Sequence, residues 1–156
     1  MIILAAGHLA EIAALAEAAF PAECCGLLVG SGKRVVRVSR LVAAANLRRD
    51  ETPDRFELDP LTRFEVERSL RGTAHRIVGH WHSHPDGSAR PSTTDLAHAW
   101  EPDLIWLIAG VAADPRGRPQ TVQILAHRLD RTAGRSWPVT LRLGEKSACK
   151  APAFPT

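Results

Sequence analysis

A chain of 156 residues with 45% hydrophobic content fits one globular domain. Aromatics supply only 5% and Tyr is absent, so Ala, Val, Leu and Ile must fill the core. Twenty basic against 17 acidic residues leave a net charge of +3, too small an excess to form a nucleic-acid-binding stripe.

Residues 8–20 predict a helix, because Leu9, Ile12, Ala13, Leu15, Ala16 and Phe20 recur at helical spacing. Pro21 ends it. The apolar run 25–29 predicts a strand that Gly30-Ser31-Gly32 turns back, and the Val-rich stretch 34–42 predicts its partner. Residues 43–53 are polar and irregular, a surface loop. Arg55 to Leu58 predict a short strand. Asp59 followed by Pro60 is a helix N-terminus, carried on by Leu61, Phe64, Val66 and Leu70 and stopped by Gly72. Residues 75–82 predict a strand, 85–90 a loop, and Ser92 opens a helix to about Ala99. Residues 103–111 predict a buried strand, Pro115-Arg116-Gly117 a turn, and 121–128 and 137–143 two further strands. Trp81, Trp100 and Trp106 are expected in the core. Residues 1–143 read as one domain and 144–156 as a flexible tail.

Three cysteines, two of them adjacent at 24 and 25 and the third at 149, form neither a disulfide framework nor a Cys-x-x-Cys pair. A reducing compartment suits them better. No run approaches the ~18 apolar residues of a membrane helix, and the apolar start lacks a basic leader. A soluble, cytoplasmic protein with no membrane partner is expected.

The chemistry concentrates in Gly79-His80-Trp81-His82-Ser83-His84-Pro85 and in Ser92-Thr93-Thr94-Asp95. A strand places residues i and i+2 on one face. Spacing alone therefore lets His80 with His82, or His82 with His84, converge on one ion. Two imidazoles and a carboxylate are a three-ligand set, which leaves the fourth position of a catalytic zinc for water. Asp95 also stands three residues after Ser92, the spacing of a capping box, so a purely structural role is the competing reading. Hydrolysis needs a general base, and Glu23, just before the apolar run at 25, is the candidate.

Together these stretches resemble the JAMM/MPN+ metalloprotease family, whose pattern is an early Glu, then His-Ser/Thr-His-Pro, then Ser-x-x-Asp. Here it reads Glu23, His82-Ser83-His84-Pro85 and Ser92-Thr93-Thr94-Asp95, supported by Cys25-Gly26-Leu27-Leu28 and by Arg55-Phe56-Glu57-Leu58-Asp59-Pro60. The likeness runs from about residue 8 to about residue 130. It implies an α/β fold, a mixed curved β-sheet flanked by helices in the MPN/JAMM sandwich related to cytidine deaminases. It implies one Zn²⁺ per chain on His82, His84 and Asp95, Glu23 as general base, and Ser92 as donor to the oxyanion. His80 stands where the family often carries an aromatic residue. A deaminase would need His-x-Glu and Pro-Cys-x-x-Cys, and the chain has neither.

The resemblance further implies a zinc metallopeptidase or isopeptidase. Its substrate would be a ubiquitin-like or sulfur-carrier protein cut after a C-terminal Gly-Gly, as in small bacterial Mec-type peptidases. A deconjugase of a bacterial antiphage system is the neighbouring reading. A non-catalytic MPN scaffold is the contrasting one, and such modules usually lose ligands that this chain keeps.

Overall fold

The computed structural model describes residues 1–51 and 55–144. In chain order the elements are β1 (Ile2–Ala5), α1 (Ala6–Ala19), β2 (Cys25–Ser31), β3 (Val36–Ala44), α2 (Pro60–Ser69), β4 (Arg76–His84), α3 (Thr93–Ala97), β5 (Ile105–Ala113), β6 (Pro119–Asp130), β7 (Arg135–Val139) and β8 (Leu141–Gly144). All eight strands form one mixed sheet in the order β7-β6-β5-β4-β2-β3-β1-β8. The β4–β5, β1–β3 and β1–β8 pairs are parallel, and the other pairs are antiparallel.

The strands at the two ends of that order, β7 and β8, are separated by Thr140 alone. One residue spans less than 4 Å, so the sheet must curl until its edges approach each other. The backbone N–H of Ile2 donates to the Thr140 carbonyl at 2.9 Å, which ties β1 to this seam. Helix α1 contacts β1, β5 and β6, strands from both ends of the sheet, and therefore lies inside the curl. There Ile12 and Ala16 pack with Ile2, Leu4, Leu28, Trp81, Leu107 and Val111 into the main core. The mixed curved sheet with helices agrees with the expected fold class.

Most predicted elements form where expected, and four differ. The residues 55–58 make one isolated bridge, Asn46 to Leu58, rather than a strand. Residues 45–47 lie beside them, with the Leu47 and Asp59 N–H groups donating to the Glu57 and Ala45 carbonyls, but among the described residues the pairing does not extend into a ladder. The predicted strand 137–143 divides at Thr140 into two that serve opposite edges of the sheet. The turn expected at 30–32 starts later, because Gly30 and Ser31 still pair with β3. The Ser92 helix stops at Ala97 rather than near Ala99. Helix α2 begins as read, with the Asp59 carboxylate accepting from the N–H groups of Leu61 and Thr62. Gly144 closes β8, while 145–156 of the expected tail lie outside the described residues. Among the described residues no helix is long and apolar enough to cross a membrane.

Candidate metal centre

Strand β4 lies in the middle of the sheet, between β2 and β5. Its register sets His80 opposite Leu27 and Trp106, and His82 opposite Cys25 and Ile108. His80, His82 and His84 thus share the face away from Trp81. Only the last two converge. Their Nε2 atoms are 3.0 Å apart. Asp95, from α3, completes the cluster with Oδ1 at 3.3 Å from His82 Nε2 and Oδ2 at 3.3 Å from His84 Nε2. His80 instead sets its ring edge against Trp106, with centroids 4.0 Å apart. Both spacing alternatives were open on a strand; the arrival of Asp95 beside His82 and His84 distinguishes them.

Asp95 is held by the helix it begins. The Ser92 N–H and hydroxyl donate to Asp95 Oδ2 at 2.6 and 2.8 Å, and the Asp95 N–H donates back to Ser92 Oγ at 3.0 Å. The capping box and the ligand-like placement are therefore the same geometry, not alternatives. His84 is oriented by a Nδ1 contact to the Ser88 carbonyl at 3.1 Å, the kind of second contact that fixes a ligating tautomer. That loop is held in turn by His127, whose Nε2 reaches the Ala89 carbonyl at 2.8 Å.

Glu23 is only 4% exposed and carries Oε1 to 4.0 Å from His84 Nε2. The link that brings it there is Ser83: its backbone N–H donates to the Cys24 carbonyl and its Oγ accepts from the Cys24 N–H, both at 3.0 Å. Asn46 adds a second tie by donating to the carbonyls of Glu23 and Arg55 at 2.9 and 3.0 Å. Phe56 stacks on His82, with ring centroids 4.3 Å apart.

Ser83, Asn46, Phe56 and His127 had no role in the sequence reading. Ser83 and Phe56 sit inside stretches that carry the resemblance, but Asn46 and His127 act across separations that no local pattern encodes. Trp81 and Trp106 are in the core as expected, whereas Trp100 is 67% exposed. It stands at the end of the short α3 turn, and the Arg131 guanidinium lies 3.9 Å from its ring centroid.

The electrostatics match a cation-binding centre. Burial works to raise the Asp95 carboxyl, but hydrogen bonds from His82 and His84 outweigh it and hold the group far below the usual carboxylate range. Burial pushes His82 down. Burial also opposes charge on His84, yet its bond to Asp95 and the charges of Asp95 and Glu23 raise it. His80 is pushed down to about 3 by burial.

The three donors suit zinc. A tetrahedral ion with bonds of ~2.0–2.1 Å has donor-to-donor edges of about 3.3–3.4 Å, against the 3.0, 3.3 and 3.3 Å found between these atoms. His82 Nδ1 is buried without a hydrogen-bond partner. The two ring nitrogens and the ionised carboxylate thus surround one point at distances a single cation would bridge. Among the described residues this is the one cluster of three such groups close enough to share an ion.

Comparison with known proteins gives a consistent outcome. Residues 5–125 match the family model described as prokaryotic homologs of the JAB domain. A desampylase from Haloferax volcanii is 33% identical over 99 residues, which is 63% of this chain and 66%, just under two thirds, of that protein. A solution structure from Desulfitobacterium hafniense superposes with a TM-score of 0.77 at 29% identity, covering 96% of this chain and 97% of that one. A solution structure from Salinibacter ruber gives 0.63 at 28% identity over 98% and 95%. A JAB1/MPN domain protein from Archaeoglobus fulgidus gives 0.54 at 25% identity over 93% and 100%.

Proposed function

This chain belongs to the family of prokaryotic homologs of the JAB domain, and from that premise we propose that it is a zinc-dependent peptidase or isopeptidase. Its substrate is a ubiquitin-like or sulfur-carrier protein, cut after a C-terminal Gly-Gly. The observation that carries this reading is the buried convergence of His82, His84 and Asp95 with Glu23 beside them. A relative named desampylase adds weight to a hydrolase reading.

His82, His84 and Asp95 would hold the metal. Zinc bound there would supply Lewis acidity toward the scissile carbonyl and toward the attacking water. Glu23 takes a proton from that water on a carboxylate oxygen and returns it to the leaving nitrogen. The oxygen bonds to the glycine carbonyl carbon, the C–N bond breaks, and a free glycine carboxylate and an amine leave. Ser92 Oγ turns its proton from Asp95 to the oxyanion as negative charge develops there. Burial of Glu23 keeps bulk water from competing for its proton. Residues 1–143 carry the whole of this machinery as one domain.

The test is intact-mass analysis of small ubiquitin-like carriers extended after Gly-Gly, incubated with the protein, with a chelator, and with Glu23→Gln. Chelator-sensitive loss of the extension, with one zinc per chain, supports the peptidase. No cleavage and no zinc would instead make the chain an MPN scaffold.

A further inference from the structure

We infer that the cavity beside the triad is the leaving-group subsite, and that it takes a single large apolar or aromatic residue bearing a free α-carboxylate. This deepens the proposed function and rests on it. The cavity holds about 340 Å³, and Glu23, Ser92 and Asp95 stand on its wall. The reacting centre therefore opens directly into it. Leu27 of β2, Phe56 and Leu58 of the 55–60 segment, Leu104, and Trp106 of β5 give it an apolar side, while Arg55, Glu57, Arg63, Thr94, His98 and Glu101 supply polar and charged groups. The His80 ring also lines it, edge-on to Trp106.

A Gly-Gly tail has no side chain to fill such a space. The cavity therefore belongs to the other side of the scissile bond. Its volume lies at the low end for small-molecule sites, so it admits one residue rather than a folded partner. An apolar floor strengthens binding in proportion to the hydrocarbon it covers.

Charge at the mouth selects the end of that residue. Arg63 is committed, with two bonds to Glu101 at 2.6 and 2.8 Å and one to Glu67 at 2.9 Å. Glu57 is taken by Arg48 at 2.8 Å. Arg55 is exposed on the lining and forms no ion pair among the described residues. A C-terminal carboxylate fits it; the acylated lysine of a conjugate, flanked by mid-chain amides, offers no carboxylate there. The geometry thus points to trimming of a short peptide extension rather than to removal of a lysine-linked protein.

The experiment is a set of carriers ending Gly-Gly-X, where X is Phe, Leu, Gly, Asp or Lys, together with the Phe carrier amidated at its C-terminus. kcat/KM is read by intact mass, and binding to Glu23→Gln by calorimetry. Phe and Leu should exceed Asp and Lys by about 10²-fold, and amidation should cost about tenfold. Leu58→Trp, which fills the cavity, should bring the Phe-to-Gly ratio toward one, with zinc content and melting midpoint verifying the fold. Arg55→Ala should narrow the gap between carboxylate and amide. Cleavage with no preference among X, or a Phe-to-Gly ratio unmoved by Leu58→Trp, would overturn the subsite and leave the peptidase reading standing. Faster release of a lysine-linked conjugate would do the same. Cleavage of no carrier at all would overturn both.

Discussion

Asp95 serves two structures with one carboxylate. Oδ1 faces His82, while Oδ2 faces His84 and accepts two bonds from Ser92. Ser92→Ala therefore removes a helix cap and, on the proposed mechanism, an oxyanion donor with it. The expected outcome is a fall in kcat of ~10²-fold or more and a loss of about 1 kcal/mol of stability, read by steady-state kinetics and urea unfolding. Unchanged kinetics would reduce Ser92 to a cap. On the proposed mechanism, Glu23→Gln removes a proton acceptor and no ligand. It should keep one zinc per chain by metal analysis while turnover falls ~10²–10⁴-fold; loss of zinc would make Glu23 a ligand. His80 gives a pH signature in the metal-free protein. Its surroundings are Phe56, Trp106, His82, Asp95 and, at longer range, Arg63. Burial lowers it from the ordinary 6.5 to about 3. Between those values the unfolded chain binds a proton that the folded chain does not, so stability falls as pH falls, by about 1.4 kcal/mol per pH unit for this group. His80→Phe keeps the ring against Trp106 and should flatten the acid limb of unfolding by that share, measured with chelator present. An unchanged slope would show that His80 does not carry the linkage.

Two strands owe their usefulness to a missing side chain. At Gly79 of β4 a Cβ would collide with the Ile105 carbonyl, so only glycine lets β4 and β5 meet in parallel register just above the histidines. At Gly110 of β5, opposite His84, a Cβ would strike the Gly87 carbonyl. That contact seats the loop whose Ser88 and Ala89 carbonyls engage His84 and His127. Gly110→Ala should therefore lift the loop and loosen His84 without touching a ligand. The expected result is zinc binding weakened 10- to 100-fold, read by competition with a chelating dye. Full affinity would mean that the loop does not orient His84.

The whole molecule is a curled sheet whose central strand β4 carries the histidines, with the carboxylates supplied by α3 and by the residues just before β2. The triad residues lie on β4 and α3, while Glu23 precedes β2. A metal that binds only when these elements are assembled stabilises the assembly. At free zinc 100 times Kd the gain is about 2.7 kcal/mol. At ~2–4 °C per kcal/mol for a chain of this size, chelation should lower the melting midpoint by roughly 5–10 °C. An unchanged midpoint, with zinc shown to leave, would mean that the centre is already rigid without it and that the metal adds only chemistry.

The sequence by itself determined what neighbours along the chain decide. Asp59 and Pro60 start a helix through their own side chain and ring. Ser92 and Asp95 cap a turn within four residues. Alternation on β4 puts His80, His82 and His84 on one face. The family resemblance then named the ligand pair and the base, and the family match agrees with that resemblance. The tertiary structure alone decided what depends on distant segments. The segment 55–58 finds only a single bridge, 137–143 splits between two sheet edges, and Trp100 faces solvent beside Arg131. Ser83 holds Cys24 across 59 residues, and His127 holds Ala89 across 38. Local spacing carries no information about these contacts, because strand register and sheet curvature are set by the packing of the whole core.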